Sequence, residues 1–77
     1  MKDQLRQYIV NHMIHDPRYQ LKDDEALISG GLVDSFSLVE LAVYIEQEFG
    51  VHFDDPELTA QNMDTLNKIV ANIEAKQ

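Results

Sequence analysis

An all-α fold is what this 77-residue chain predicts: a small four-helix bundle, with three longer helices, one short one, and a long loop between helices 1 and 2. Three observations predict it. Apolar residues recur at i, i+3, i+4 and i+7 or i+8 in three separate segments, the spacing of one buried helical stripe rather than the alternation of a strand. Proline and glycine punctuate the chain between those segments, at Asp16-Pro17, Gly30-Gly31, Gly50 and Pro56. Hydrophobic residues make up 44% of the sequence, enough for a core and too many for a disordered chain.

Each element follows in order. Asp3 is placed to cap a first helix in which Leu5, Tyr8, Ile9, Met13 and His12 share one face. Asp16-Pro17 stops that helix, because the residue before proline is pushed out of the helical region. Residues 17–34 read as a long loop that still holds Leu21, Leu27, Ile28, Leu32 and Val33, apolar groups able to pin it across the bundle. Loops of that length in a small domain are often functional. Gly30-Gly31 supplies a tight turn. The second helix has the clearest period, Leu38, Leu41, Ala42, Ile45 and Phe49, and Gly50 ends it. Val51 and Phe53 are expected to anchor the connection in the core. Pro56-Glu57-Leu58 suits the first turn of a short third helix capped by Asp54 or Asp55. Asp64 is expected to cap the last helix, whose stripe is Leu66, Ile69, Val70 and Ile73. Met13 and Met63 read as core.

Size and composition narrow the function classes. Residues 1–77 make a single domain, and chains this short bury only about 60% of their unfolded surface. A substrate cleft of roughly 300 Å³ or more would be hard to build into so small a core, so a catalyst is not expected. No apolar run is long enough to cross a bilayer, and the first residues, MKDQLRQYIVNHM, are too polar for a signal peptide. Cysteine is absent, which removes disulfides, cysteine-ligated metals and any thiol chemistry by the chain itself. A cytoplasmic location is expected.

The net charge is −8, and its distribution is uneven. Residues 1–33 set four basic side chains against five acidic ones, whereas residues 34–77 set only Lys68 and Lys76 against nine acids. The excess therefore begins at Asp34. A field of that sign repels nucleic acid and anionic membranes and attracts basic protein surfaces. His12 and His15 beside Asp16 have an acceptable metal-ligand spacing, but such groups at a helix end are more often solvated, and no metal site is expected. Asp54, Asp55 and Glu57 lack the glycine and terminal glutamate of a calcium-binding EF-hand loop.

Ser35 is the residue that asks for an explanation. It sits between an aspartate and a phenylalanine where a glycine-rich loop turns into the second helix. A serine there is commonly a helix cap, contributing about 1 kcal/mol. A nucleophilic serine would need a base and an oxyanion hole, and the G-x-S-x-G elbow is absent. A third use is modification, since an anionic ester at a helix N-terminus is favoured by the dipole.

The run Gly31-Leu32-Val33-Asp34-Ser35-Phe36-Ser37-Leu38-Val39-Glu40-Leu41 resembles the phosphopantetheine attachment motif of the acyl carrier protein family, and Glu46-Gln47-Glu48-Phe49-Gly50 is similar to the usual end of that family's second helix. The order of elements matches along nearly the whole chain. The resemblance implies a carrier, not an enzyme: 4'-phosphopantetheine from coenzyme A is attached to Ser35 by a phosphopantetheinyl transferase, and its terminal thiol holds acyl groups as thioesters. The carrier delivers them, as a monomer, to acyl- or aminoacyl-activating and acyl-transferring enzymes of fatty acid, polyketide or specialised biosynthesis. Phe36 stands where most fatty-acid carriers have leucine. With Asp64-Thr65-Leu66-Asn67-Lys68-Ile69, it makes the chain similar to D-alanyl carrier proteins, an alternative with an aminoacyl cargo. The competing class is an acidic helical interaction module without a prosthetic group. Asp34, Phe36, Glu40, Val43 and Gln47 form a row off the buried stripe, mixing acids with apolar groups, and are the expected partner-docking residues. A small apolar centre with a charged rim is a common interface design.

Overall fold

The structure, a computed structural model, describes residues 1–77 and is all-helical. Helix α1 spans Lys2–Tyr8 and continues as a π-helical turn, Ile9–Met13. Helix α2 spans Leu38–Phe49 and is entered through a 3₁₀ turn, Ser35–Ser37. A second 3₁₀ turn, Asp55–Glu57, precedes the short α3, Ala60–Met63, and α4 spans Leu66–Lys76. Sixteen buried side chains, all hydrophobic, form one core, with Leu5, Ile9, Leu41, Ile45, Met63, Leu66, Ile69 and Ile73 at its centre.

Local chemistry departs from expectation at three helix starts. Helix α1 begins before Asp3, with Met1 at the cap position and no side-chain cap; Asp3 lies inside the first turn, where its charge suits the dipole, and pairs with Arg6 at 2.7 Å. The turn at Pro56 is a 3₁₀ turn and does not open the short helix. Leu58 leaves helical backbone (φ −85°, ψ 71°), Thr59 is extended, and α3 starts only at Ala60. Glu57 secures that turn by accepting from the Asp54 N–H at 2.9 Å. Finally, Thr65 caps α4, accepting from the Lys68 N–H at 3.1 Å. Asp64 is occupied elsewhere, holding the long loop.

The wide turn at Ile9–Met13 shifts the helical phase by about one residue. Val10, outside the expected stripe, is thereby buried beside Ile9 and Met13, while His12 is turned outward. His15 then ends the helix in a left-handed conformation (φ 63°), directly before Asp16-Pro17.

The long loop is pinned by side chains and by backbone. Leu21, Leu27 and Val33 are buried. Arg6 donates to the Leu21 carbonyl at 3.1 Å and pairs with Asp23. The Asp23 carbonyl accepts from the Asn67 N–H, and the Asp64 carbonyl accepts from the Leu27 N–H at 2.7 Å, so the loop bridges α1 and the start of α4. A Cβ at Gly30 would lie 2.3 Å from the Ala26 carbonyl oxygen, a close approach only glycine allows. Gly31 has open space but a left-handed φ of +79°. Gly31→Ala should therefore cost only the backbone term, about 1–2 kcal/mol, visible as a lower urea midpoint with an unchanged slope.

Candidate functional site

The loop delivers residue 35 to the surface in a defined way. Leu27 carbonyl accepts from the N–H groups of both Leu32 and Val33 at 2.9 Å, closing the turn just before the serine. Asp34, extended (φ −74°, ψ 139°), caps the following turn by accepting from the Phe36 N–H at 3.0 Å, and its carbonyl accepts from the Ser37 N–H. The cap is thus Asp34 and not Ser35. Ser35 is exposed, and its hydroxyl engages in no hydrogen bond with the protein.

The other two serines differ. Ser29 donates its hydroxyl to Asp64 at 2.6 Å, and Ser37 is half-buried in the turn. An open hydroxyl at the mouth of a helix, behind a glycine turn and free of structural duty, fits a covalently carried group. The chain needs to supply little else there: a fixed position and unobstructed approach.

The face around it is built by α2. Leu38, Leu41 and Ile45 point inward, with Ala42 and Phe49 half-buried, as the stripe predicts. On the outer side Phe36 is 84% exposed and Val43 53% exposed, with Glu40 and Gln47 beside them in the solvent. Val39, 56% exposed, belongs to the same apolar strip and is absent from the expected row. Its position three residues after Phe36 and four before Val43 is the signal that identifies it.

Two shallow grooves flank this strip. One, of about 330 Å³, lies against α1 and is lined by Tyr8, Val39, Glu40, Val43, Tyr44 and Gln47. There the Tyr8 and Tyr44 rings stack, and the Tyr8 hydroxyl is held above its usual pKa first by burial and then by the nearby Glu40 charge. The other, of about 220 Å³, lies between α2 and residues 52–58. His52 stands at its rim, bonded to both Glu46 and Asp54.

The remaining sequence candidates separate. The His12 ring packs 5.0 Å from Tyr8, His15 serves the helix end, and Asp16 accepts from the Arg18 N–H. Nowhere do three histidines or carboxylates come together as a metal-holding group. No helix is long and apolar enough to cross a membrane.

Residues 14–73 match the family described as "Phosphopantetheine attachment site". A D-alanyl carrier protein of Lactobacillus acidophilus is 33% identical over 52 residues, 68% of this chain and 66% of the relative. D-alanyl carrier proteins of Streptococcus equi subsp. zooepidemicus and of Streptococcus equi subsp. equi are each 39% identical over 54 residues, 70% of this chain and 68% of the relative. The matched stretch thus spans about two thirds of the length of these relatives. With an all-helical fold and an open serine inside the matched stretch, the chain belongs to the phosphopantetheine carrier proteins, whose prosthetic group is covalently attached 4'-phosphopantetheine.

Proposed function

We propose that this protein is an aminoacyl carrier of the D-alanyl type, with Ser35 as the point of attachment. The observation that carries the site is the Ser35 hydroxyl, exposed and unengaged while Asp34 performs the capping. The cargo reading is supported by the relatives named D-alanyl carrier protein. It stands ahead of a fatty acid or polyketide cargo for that reason. The arm, when attached, supplies the thiol that the cysteine-free chain lacks, and that thiol takes up the carboxyl group of the cargo.

What the chain's own residues do is present and identify. Ser35 offers the ester oxygen. Asp34, Phe36, Glu40, Val43 and Gln47, joined by Val39, make a docking strip with an apolar centre and an acidic rim, suited to basic surfaces on a transferase and on an activating enzyme. The discriminating experiment offers the arm-bearing protein to an ATP-dependent D-alanine-activating ligase and, separately, to a fatty-acyl ligase, with intact mass as the readout. Gain of an alanyl increment with the first and none with the second is the expected result. The reverse would return the cargo to the fatty acyl class.

Docking through charge has its own consequence. Glu40→Lys should slow loading several-fold at low salt, while Glu74→Lys, exposed on α4, should leave it near wild type. The difference should shrink as salt shortens the Debye length from about 10 Å at 0.1 M to about 3 Å at 1 M. Equal slowing by both variants would reduce the effect to bulk charge.

A further inference from the structure

We propose that residues 52–58 form a strap over the outer groove of α2, and that the strap is closed onto α2 by a histidine latch whose protonated form holds and whose neutral form releases. The groove floor is Val39, Ala42 and Val43 from α2, and the strap contributes Phe53 and Leu58. Phe53 anchors the strap in the core, Asn62 donates to the Glu57 carbonyl at 3.0 Å, and two charged tethers hold its outer edge, one at each side. On α4, Lys76 pairs with Glu57 at 2.9 Å and lies 5.0 Å above the Phe53 ring. On α2, Glu46 bonds His52 Nδ1 at 2.6 Å.

The α2 tether is the titratable one. Both ring nitrogens of His52 face carboxylates, Nδ1 to Glu46 and Nε2 to Asp54 at 3.0 Å. A neutral imidazole has one N–H and can donate to only one of them; the imidazolium donates to both. Within the strap Asp55 and Glu57 add negative charge, and the single cation reaching it from α4, Lys76, is already matched by Glu57. The charged groups in contact with His52 are therefore both carboxylates. Its pKa is raised accordingly, first by the Glu46 bond and then by the Asp54 bond.

The sign follows from that direction. The protonated form is favoured in the closed strap, so closure is strongest below the ordinary histidine pKa and is lost as pH rises through the raised value. His52 is 68% exposed, so solvent screens the pair and the switch is graded. Opening would widen the groove and expose more of Leu58 next to the docking strip, with Phe53 remaining in the core. The latch does not depend on which cargo Ser35 carries.

The test is amide hydrogen exchange by NMR on the full chain, with protection taken relative to unstructured rates at each pH. The probes are the Glu57 and Leu58 N–H groups, which bond to the Asp54 and Asp55 carbonyls. In the wild type their protection should fall about three- to tenfold between pH 5.5 and 8, with the midpoint of the His52 ring signals. Each whole unit by which that midpoint exceeds the ordinary value corresponds to tenfold in closure. Glu46→Gln should lower the His52 midpoint and flatten the protection profile, while Lys76→Gln should lower protection equally at both pH values. Amides of Leu41 and Ile69 should not respond. Strap protection that is unchanged between the two pH values, or that changes together with Leu41 and Ile69, would overturn the latch.

Discussion

Ser35→Ala is expected to abolish incorporation from coenzyme A completely while leaving the fold intact. Under conditions where a broad-specificity phosphopantetheinyl transferase converts the wild type, intact mass should show no phosphopantetheinyl increment on the variant. The unfolding midpoint should stay close to the wild-type value. A serine at a helix start ordinarily costs about 1 kcal/mol when its cap is lost, but here the Phe36 N–H is satisfied by Asp34 and the serine hydroxyl bonds to nothing. The change should therefore remain within about 0.5 kcal/mol, as for surface substitutions generally. Asp34→Ala gives the mirror image, removing the cap and costing about 1 kcal/mol. A variant lacking Ser35 that still gains mass would move the attachment point to another hydroxyl.

Asp64→Ala is expected to produce the larger loss of stability. Its carboxylate accepts from the Ile28 N–H at 2.8 Å, the Ser29 N–H at 2.9 Å and the Ser29 hydroxyl at 2.6 Å, thirty-six and thirty-five residues away in the chain. Hydrogen bonds to a charged group contribute about 1.5–3 kcal/mol each when shielded. Solvent reaches this cluster, so a total near 2 kcal/mol is the expected loss by urea unfolding. The same bonds hold the Asp64 carboxyl below its usual pKa, chiefly through the Ser29 hydroxyl and N–H. A depressed carboxyl stabilises the fold above its unfolded pKa and loses that contribution as pH falls through the folded value. Wild-type stability should thus drop below about pH 4, and Asp64→Asn should flatten part of that drop. Because Asp64 holds the turn that leads to Ser35, the alanine variant should also be loaded more slowly than its stability alone explains. Loading at the wild-type rate would show that the serine is positioned without this tie.

Much of this was legible in the residues, for physical reasons. The α2 stripe and the α4 stripe are set by side-chain spacing alone, and Leu38, Leu41, Ile45, Leu66, Ile69 and Ile73 are buried as that spacing requires. Val51 and Phe53 also reach the core as expected. Helix starts were less legible, because several oxygens compete for the same N–H groups. Asp64 and Thr65 are neighbours, and only the folded loop decides that Asp64 serves residues 28 and 29 while Thr65 caps α4. Asp3 and Pro56 mislead too, since a helix can begin two residues earlier or a turn remain 3₁₀. Val10 was hidden by a π turn, which shifts phase without a sequence signature. The site reads differently again. Ser35 is marked by its motif, but its freedom from capping is a fact of three dimensions. The tie between His52, Glu46 and Asp54 was not legible at all, because it takes the last turn of α2 and the reversal at Gly50 to bring Glu46 and His52 together.

Attachment at Ser35 can be read out by fragmentation mass spectrometry of the intact, arm-bearing protein. The wild type, treated with coenzyme A and transferase, should gain one phosphopantetheinyl group. Backbone fragments should confine the added mass between Asp34 and Phe36, with Ser29 and Ser37 unmodified. Localisation of the group to Ser29 or Ser37, or no gain at all beside a carrier protein converted in the same reaction, would contradict it.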